Sequence, residues 1–280
     1  MKIFLIGASG CFGTELKKVC NKKKIELFSL SSSKLNILDY KALYGQIIIE
    51  KPDIIVNSAA LVGINQCENN HKDAFAVNSV GPLNLAKICN KLKITLVQAS
   101  THAVFDGKKE NPYDENDIPK PNNVYSGSKY LGELFVSSIC EKYYIIRFPT
   151  LFGNRSNNLR GFVDKVIEKL SVNEDLKIAT DKIDSPTYAK DAAEILLEII
   201  LKKKDYGIYH LCNKGNLSYY EFVNKIKAIT GSKSKIIQVK DSDFPSDGFK
   251  PLKTAITSSK IKKTRSWEEA LSEYINSINV

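Results

Sequence analysis

The run KIFLIGASGCFG, residues 2–13, decides how the rest of the chain is read. Ile3 to Ile6 form a continuous apolar stretch, as expected of a strand covered on both faces. The run then breaks into Gly7-Ala-Ser-Gly10-Cys-Phe-Gly13, and a helical pattern follows over 13–23. In this arrangement the first glycine permits a tight turn, the second lets the backbone approach a pyrophosphate, and the third lets helix pack on strand. The helix N-terminus adds free N–H groups and a positive dipole end. A secretory signal is the competing reading of the first residues, but the apolar run is too short and enters a glycine turn instead of a cleavage site.

Outward from this unit the same rhythm recurs. Apolar runs at 25–30, 53–59, 94–100 and 143–148 alternate with helical patterns near 39–50, 73–92 and 124–141. This predicts an α/β fold, a Rossmann-type doubly wound parallel sheet with right-handed crossovers. Beyond Phe152 the pattern loosens. Helices are expected near 160–171, 188–203, 218–231 and 267–278, and strands at 176–179, 208–211 and 235–239. Between them run polar loops at 154–158, 180–187 and 241–251. We expect residues 1–152 to form a nucleotide-binding domain, to which about 188–211 returns, and 153–280 to form mainly a smaller C-terminal substrate-binding lobe.

Bulk composition narrows the function. The chain has 280 residues, 43% hydrophobic and 26% charged, as in an ordinary globular protein. No apolar run approaches the roughly 20 residues of a membrane span. Cys11, Cys20, Cys67, Cys89, Cys140 and Cys212 show no metal-binding spacing, so we expect six reduced thiols in a cytoplasmic protein without a metal. Net charge is +10 and the pI about 9.1. The charge is nearly all scattered Lys, with only Arg147, Arg155, Arg160 and Arg265 as arginines. That suits a solvated surface attractive to phosphorylated small molecules better than a nucleic-acid reader.

The second strand should carry a residue to the adenosine ribose, where an acid would select NAD. Here the chain reads Ser29-Leu-Ser31-Ser32-Ser33-Lys34, without a carboxylate. Ser31, Ser32 and Lys34 could hold a 2′-phosphate, so NADP(H) is favoured and NAD(H) remains possible. Further on, Tyr125 and Lys129 stand four apart at the start of a helical pattern, hence on one helix face. A phenol is a poor acid at neutral pH unless a neighbouring ammonium lowers its pKa, so the pair suits proton transfer. Ser100 and Thr101 end the fourth strand, where open α/β sheets bind ligands; Thr101 is the better candidate to orient a carbonyl.

Taken with Pro52–Ala60, Val77-Asn78, Val104–Gly107 and Gly132-Glu133, these motifs resemble the extended short-chain dehydrogenase/reductase family. Within it the likeness is to the dTDP-4-dehydrorhamnose reductases, and it extends through Asn111–Glu115, Asp181, Ser185–Thr187, Ile208–His210 and Lys250-Pro251. The resemblance implies hydride delivery from NADPH or NADH to the C4 keto carbon of a nucleotide-linked 4-keto-6-deoxy sugar. It implies that Tyr125 protonates the alkoxide, that Lys129 lowers the Tyr pKa and holds the nicotinamide ribose, and that Thr101 orients the carbonyl. Gly10, Cys11, Phe12 and Gly13 would lie against the pyrophosphate with Gly7 forming the turn of this cofactor-binding loop, Asn36 and Ile37 on the adenine side, and Ala59, Ala60 and Ala99 along the cofactor cleft. Ser100, Thr101, His102, Thr150 and Lys250 would face the substrate.

Several positions depart from that family pattern. Where the reductases read Ser-Thr-Asp-Tyr-Val-Phe, this chain has His102 and Ala103 in place of the Asp and Tyr. Thr150 stands for a Trp, Lys250 for an Arg, and Val62 for a hydroxyl residue. Sugar-nucleotide dehydratases use an acidic pair where His102-Ala103 stand, which argues against water elimination. A sugar-nucleotide epimerase and a non-catalytic regulatory subunit on the same fold are the alternative readings. A homodimer is the ordinary expectation for a soluble enzyme. His71 and His210 are expected at the surface or in packing roles.

Overall fold

The computed structural model describes residues 1–156 and 159–278. Asn157 and Asn158, at the end of the expected 154–158 loop, lie outside the described residues. In chain order the first-half elements are β1 (Lys2–Ile6), α1 (Cys11–Lys22), β2 (Glu26–Ser29), α2 (Tyr40–Glu50), β3 (Ile54–Asn57), α3 (Ile64–Asn69), α4 (His71–Phe75), α5 (Gly81–Leu92), β4 (Thr95–Thr101), α6 (Val124–Ile139) and β5 (Tyr143–Phe148). They are followed by β6 (Leu151–Phe152), α7 (Phe162–Ser171), β7 (Leu176–Ala179), β8 (Ile183–Asp184), β9 (Thr187–Tyr188), α8 (Ala189–Leu201), β10 (Gly207–His210), β11 (Leu217–Ser218), α9 (Tyr219–Thr230), β12 (Ile236–Val239) and α10 (Trp267–Ile278).

Six strands form one sheet in the order β10-β5-β4-β3-β1-β2, and every neighbouring pair is parallel. This is the doubly wound sheet expected from the alternation. The order reverses between β1 and β3, so their carboxyl ends open the crevice that such sheets use for ligands. One face of the sheet is covered by α1 and α8, whose Leu16, Val19, Leu196 and Ile200 pack with Ile3, Val56 and Val97. The other face buries Leu43, Ile47, Leu85, Ile88 and Val136 from α2, α5 and α6. A separate cluster, including Phe152, Leu170, Phe222, Trp267 and Leu271, lies among the C-terminal elements. There three two-stranded pairings, β6–β9, β7–β12 and β8–β11, replace a continuous sheet.

The helix expected over 73–92 is interrupted. Its middle, Ala76–Val80, winds as a π turn between α4 and α5, and α3 precedes it as a short helix not expected from the pattern. Pro82 has no N–H to donate to the carbonyl four residues back, at Asn78, so the regular ladder is lost there. That carbonyl is the surface on which α6 rests: a Cβ on Gly132 would fall 2.3 Å from Asn78 O. Gly132 therefore sets how closely α6, the helix bearing Tyr125 and Lys129, approaches the π turn and the start of α5. Among the described residues no helix is long and apolar enough to cross a membrane.

Candidate active site

The turn between β1 and α1 is closed by the protein's own backbone. Gly7 has φ +83°, and a Cβ there would meet Ala59 N at 2.5 Å; one on Gly13 would meet Gly7 O at 2.4 Å. Gly10 differs, since an added Cβ would make only an ordinary 3.6 Å contact. Packing thus explains Gly7 and Gly13, while the space over Gly10 stays open. Gly10 is also the N-cap of α1, with no side-chain cap and no acidic residue in the first turn, so the first N–H groups of this 12-residue helix are left for an anion. Phe12 is buried against Phe148, with ring centroids 4.7 Å apart. Burial pushes the Cys11 thiol up to about 12, with Arg155 acting in the opposite sense, so it is not a thiolate at neutral pH.

Residues at the end of β3 complete the crevice. Ala59 N donates to Asn57 Oδ1 at 3.2 Å, and Asn57 Nδ2 donates to Gln98 Oε1 at 2.8 Å inside the sheet. On the β2 side, Ser31, Ser32 and Lys34 form an exposed turn, with the Ser31 and Ser33 hydroxyls 2.8 Å apart. Asn36 accepts from Leu38 N at 2.9 Å. Ile37 is buried beneath Gly81, whose added Cβ would clash at 2.9 Å, which makes it also a packing residue of the α2–α5 layer.

The helix α6 begins with a capping box. Asn123 Oδ1 accepts from Ser126 N at 2.8 Å, and the Ser126 hydroxyl answers toward the Asn123 N–H. This fixes the first turn, on which Tyr125 lies. Asn78 then stitches α6 to the crevice: its side chain makes two 2.9 Å bonds to the backbone of Leu61 and one of 3.0 Å to Ser128. Lys129 is buried, and its Nζ donates to Ala99 O on β4 at 2.7 Å. Burial lowers the Lys129 pKa to about 8, against the pull of Glu133. Burial raises Tyr125 to about 12, while a hydrogen bond with Thr101 works the other way. The sequence reading expects the lysine to lower the tyrosine. In this structure the ammonium proton is directed at the strand carbonyl, and desolvation dominates the phenol.

At the end of β4 the neighbouring hydroxyls diverge. Thr101 Oγ1 accepts from Ala103 N at 3.1 Å and lies with Tyr125. Ser100, expected at the substrate, donates instead to Glu133, within a buried group that sequence reasoning did not assemble. Glu133 receives Arg147 Nε at 3.1 and 3.2 Å and the Arg147 terminal nitrogen at 2.7 Å. The guanidinium also stands 5.3 Å over the Phe105 ring. His210 is fully buried beside Phe105 with Nδ1 2.9 Å from Thr257 O, and His71 is exposed.

His102, one residue beyond Thr101, has Nδ1 3.0 Å from Thr254 O and 3.1 Å from Asp184 Oδ1. Thr150 lies at the same cluster: its N–H donates to Asp184 Oδ2 at 3.3 Å and its hydroxyl is 3.0 Å from that of Tyr219. Lys250 behaves differently. Its Nζ contacts the Asp241 carboxylate at 2.8 Å and the carbonyls of Asp241 and Phe244 at 2.9 and 2.8 Å. Three acceptors use all three ammonium protons, so in this conformation Lys250 organises the 241–251 loop. Asp184 and Tyr219 escaped sequence reasoning; the polar loop 180–187 was visible, but not the strand end it would meet.

A six-stranded parallel sheet with a glycine turn at its switch point and a Tyr–Lys helix face beside a strand-end threonine defines the extended short-chain dehydrogenase/reductase class. The chain belongs, more particularly, to the RmlD substrate binding domain family, whose model matches residues 1–280. It is 31% identical over 278 residues to the spore coat polysaccharide biosynthesis protein SpsK of Bacillus subtilis, covering 98% of this chain and 96% of that protein. Among solved structures, a dTDP-4-dehydrorhamnose reductase from Clostridium acetobutylicum superposes with a TM-score of 0.95 at 31% identity, over 100% of both chains. The dTDP-4-dehydrorhamnose reductase from Bacillus anthracis, solved in complex with NADP, superposes with a TM-score of 0.93 at 28% identity, over 99% of each chain.

Proposed function

We propose that this protein is an NAD(P)H-dependent oxidoreductase that reduces the 4-keto group of a nucleotide-linked 4-keto-6-deoxy sugar, as its relatives named dTDP-4-dehydrorhamnose reductase do by name. The observation that carries the reading is the placement of Tyr125, Thr101 and Lys129 at the carboxyl end of β4, beside the glycine turn. The open space above Gly10 and the uncapped start of α1 fit the pyrophosphate of a dinucleotide. Gly7, Gly10, Cys11, Phe12 and Gly13 would border it, with Asn36, Ile37, Ala59, Ala60 and Ala99 along the cleft. Ser31, Ser32 and Lys34, exposed and without a carboxylate, favour a 2′-phosphate and therefore NADP(H) over NAD(H).

When bound, the nicotinamide supplies a hydride. The protein's part is to hold the keto group and manage the proton. Thr101 donates to the carbonyl oxygen, and Tyr125, neutral well above pH 7, gives its proton to that oxygen as negative charge develops. Lys129 steadies the resulting phenolate and holds the nicotinamide ribose. We assign residues 1–152, with about 188–211, to the cofactor-binding part and 153–280 mainly to the substrate lobe, with His102 and Thr150 facing the sugar. Six buried free thiols agree with a reducing, cytoplasmic setting.

The reading is tested by following NADPH absorbance with a panel of 4-keto-sugar nucleotides. We expect stoichiometric NADPH consumption with dTDP-4-dehydrorhamnose, and kcat/KM at least severalfold lower with NADH. Conversion without net NADPH consumption would instead indicate an epimerase. A clear NADH preference would refute the role given to Ser31, Ser32 and Lys34.

The electrostatics predict a pH limb. Lys129, lowered to about 8 by burial, is charged below that pH and loses its charge above it. Tyr125, raised to about 12, stays protonated throughout. Reduction should therefore fall as pH rises through about 8. A rate flat to pH 10 would remove Lys129 from the mechanism.

A further inference from the structure

The buried cluster on His102 contains more than the proposed reaction asks of it. Asp184 ends β8 in the C-terminal elements, while His102 follows the end of β4 in the main sheet; 82 positions of sequence separate them. The carboxylate is 3% exposed yet well satisfied. Besides His102 it receives Ser185 N at 2.7 Å, Thr150 N at 3.3 Å and the Tyr219 hydroxyl at 3.5 Å. Burial would raise its pKa, but the neighbouring His102 and these hydrogen bonds hold it below the usual carboxylate range, so it is an anion at neutral pH. A buried anion with this donor set holds its partner in one orientation.

The consequence lies on the opposite edge of the imidazole. Both groups at Nδ1, the Thr254 carbonyl and the Asp184 carboxylate, are acceptors, so Nδ1 carries a hydrogen. Nε2 has no protein partner among the described residues, and the side chain keeps 15% of its surface accessible. The ring is therefore clamped on one edge and free on the other, next to the threonine that lies with Tyr125. We infer that His102 recognises the substrate through Nε2, hydrogen-bonding a hydroxyl of the sugar, and that Asp184 is the positioning residue that holds the ring for this contact. A hydroxyl is the matching group because it can donate to Nε2 of a neutral imidazole or accept from a charged one. A carbonyl or phosphate oxygen could satisfy only the charged form. The Thr150 N–H and the Tyr219 hydroxyl complete the donor set around Asp184. This inference rests on the sugar-nucleotide reading of the site and adds to it the sugar edge that is read, and by which atom.

A double-mutant cycle tests the arrangement. His102→Ala, Asp184→Asn and the double variant are compared with the wild type for affinity toward dTDP-rhamnose by titration calorimetry, which needs no turnover. Kinetics with NADPH and the keto sugar, NADPH affinity and thermal stability are measured alongside. We expect H102A to weaken dTDP-rhamnose binding and raise KM about five- to tenfold, with kcat changed much less and NADPH affinity unchanged; this is the scale of one lost hydrogen bond. D184N should weaken binding severalfold when His102 is present and have no further effect on binding when H102A is also present. A D184N effect of equal size in both backgrounds would overturn the positioning role, as would an H102A variant that loses stability but no affinity. Binding without turnover in the wild type would sink the reductase reading while the cycle still decides the pair. No dTDP-rhamnose binding by the wild type would overturn the inference itself.

Discussion

Replacing Tyr125 with Phe lowers kcat/KM for keto-sugar reduction by about 10²- to 10⁴-fold, the range for losing a positioned general acid. NADPH affinity should stay within about twofold, because the change removes one oxygen and leaves the aromatic body at the start of α6. The hydroxyl it deletes is bonded by Thr101 and held un-ionised by its surroundings, so it enters the reaction as a proton donor. The check is steady-state kinetics together with fluorescence titration of NADPH. A variant retaining near wild-type turnover would exclude Tyr125 as the acid. A variant that no longer bound NADPH would show the tyrosine to be chiefly a cofactor contact.

The largest structural effect should come from Glu133, behind the site. Glu133→Ala strands the Arg147 guanidinium in the interior, where one of its nitrogens already lacks an acceptor. Removing one member of a buried ion pair costs about 3–5 kcal/mol. We expect that loss as a lower midpoint in urea unfolding with an unchanged slope. The activity carries a second signature. Glu133 raises the Lys129 pKa against the effect of burial, so its removal should move the basic limb of the pH profile below about 8. Unchanged stability would mean that the pair is solvated in solution. An unmoved limb would mean that Glu133 does not act on the lysine.

Legibility varied with the range of the interaction. The glycine turn, the apolar strands and the Tyr125–Lys129 spacing are short-range patterns, and the sheet of six parallel strands follows their alternation closely. The π turn at Ala76–Val80 was missed because a helical periodicity continues through it, although Pro82 marked the broken hydrogen bond. Ser100 follows Thr101 closely as a strand-end candidate in the sequence, and only the approach of Glu133 shows that its hydroxyl turns away. Lys250 is expected at the substrate because nothing local shows that Asp241 and two carbonyls surround it.

The sequence by itself determined the sheet, the glycine turn at its switch point and the helix face that presents Tyr125 beside Lys129, because backbone geometry over a few residues dictates each of them. The tertiary structure alone decided which charges meet: Glu133 with Arg147 behind the site, and Asp184 with His102 at the substrate edge. Those pairings depend on strand order and on how the C-terminal elements close against β4. In a low-dielectric interior such contacts, set by the whole fold, govern protonation and orientation.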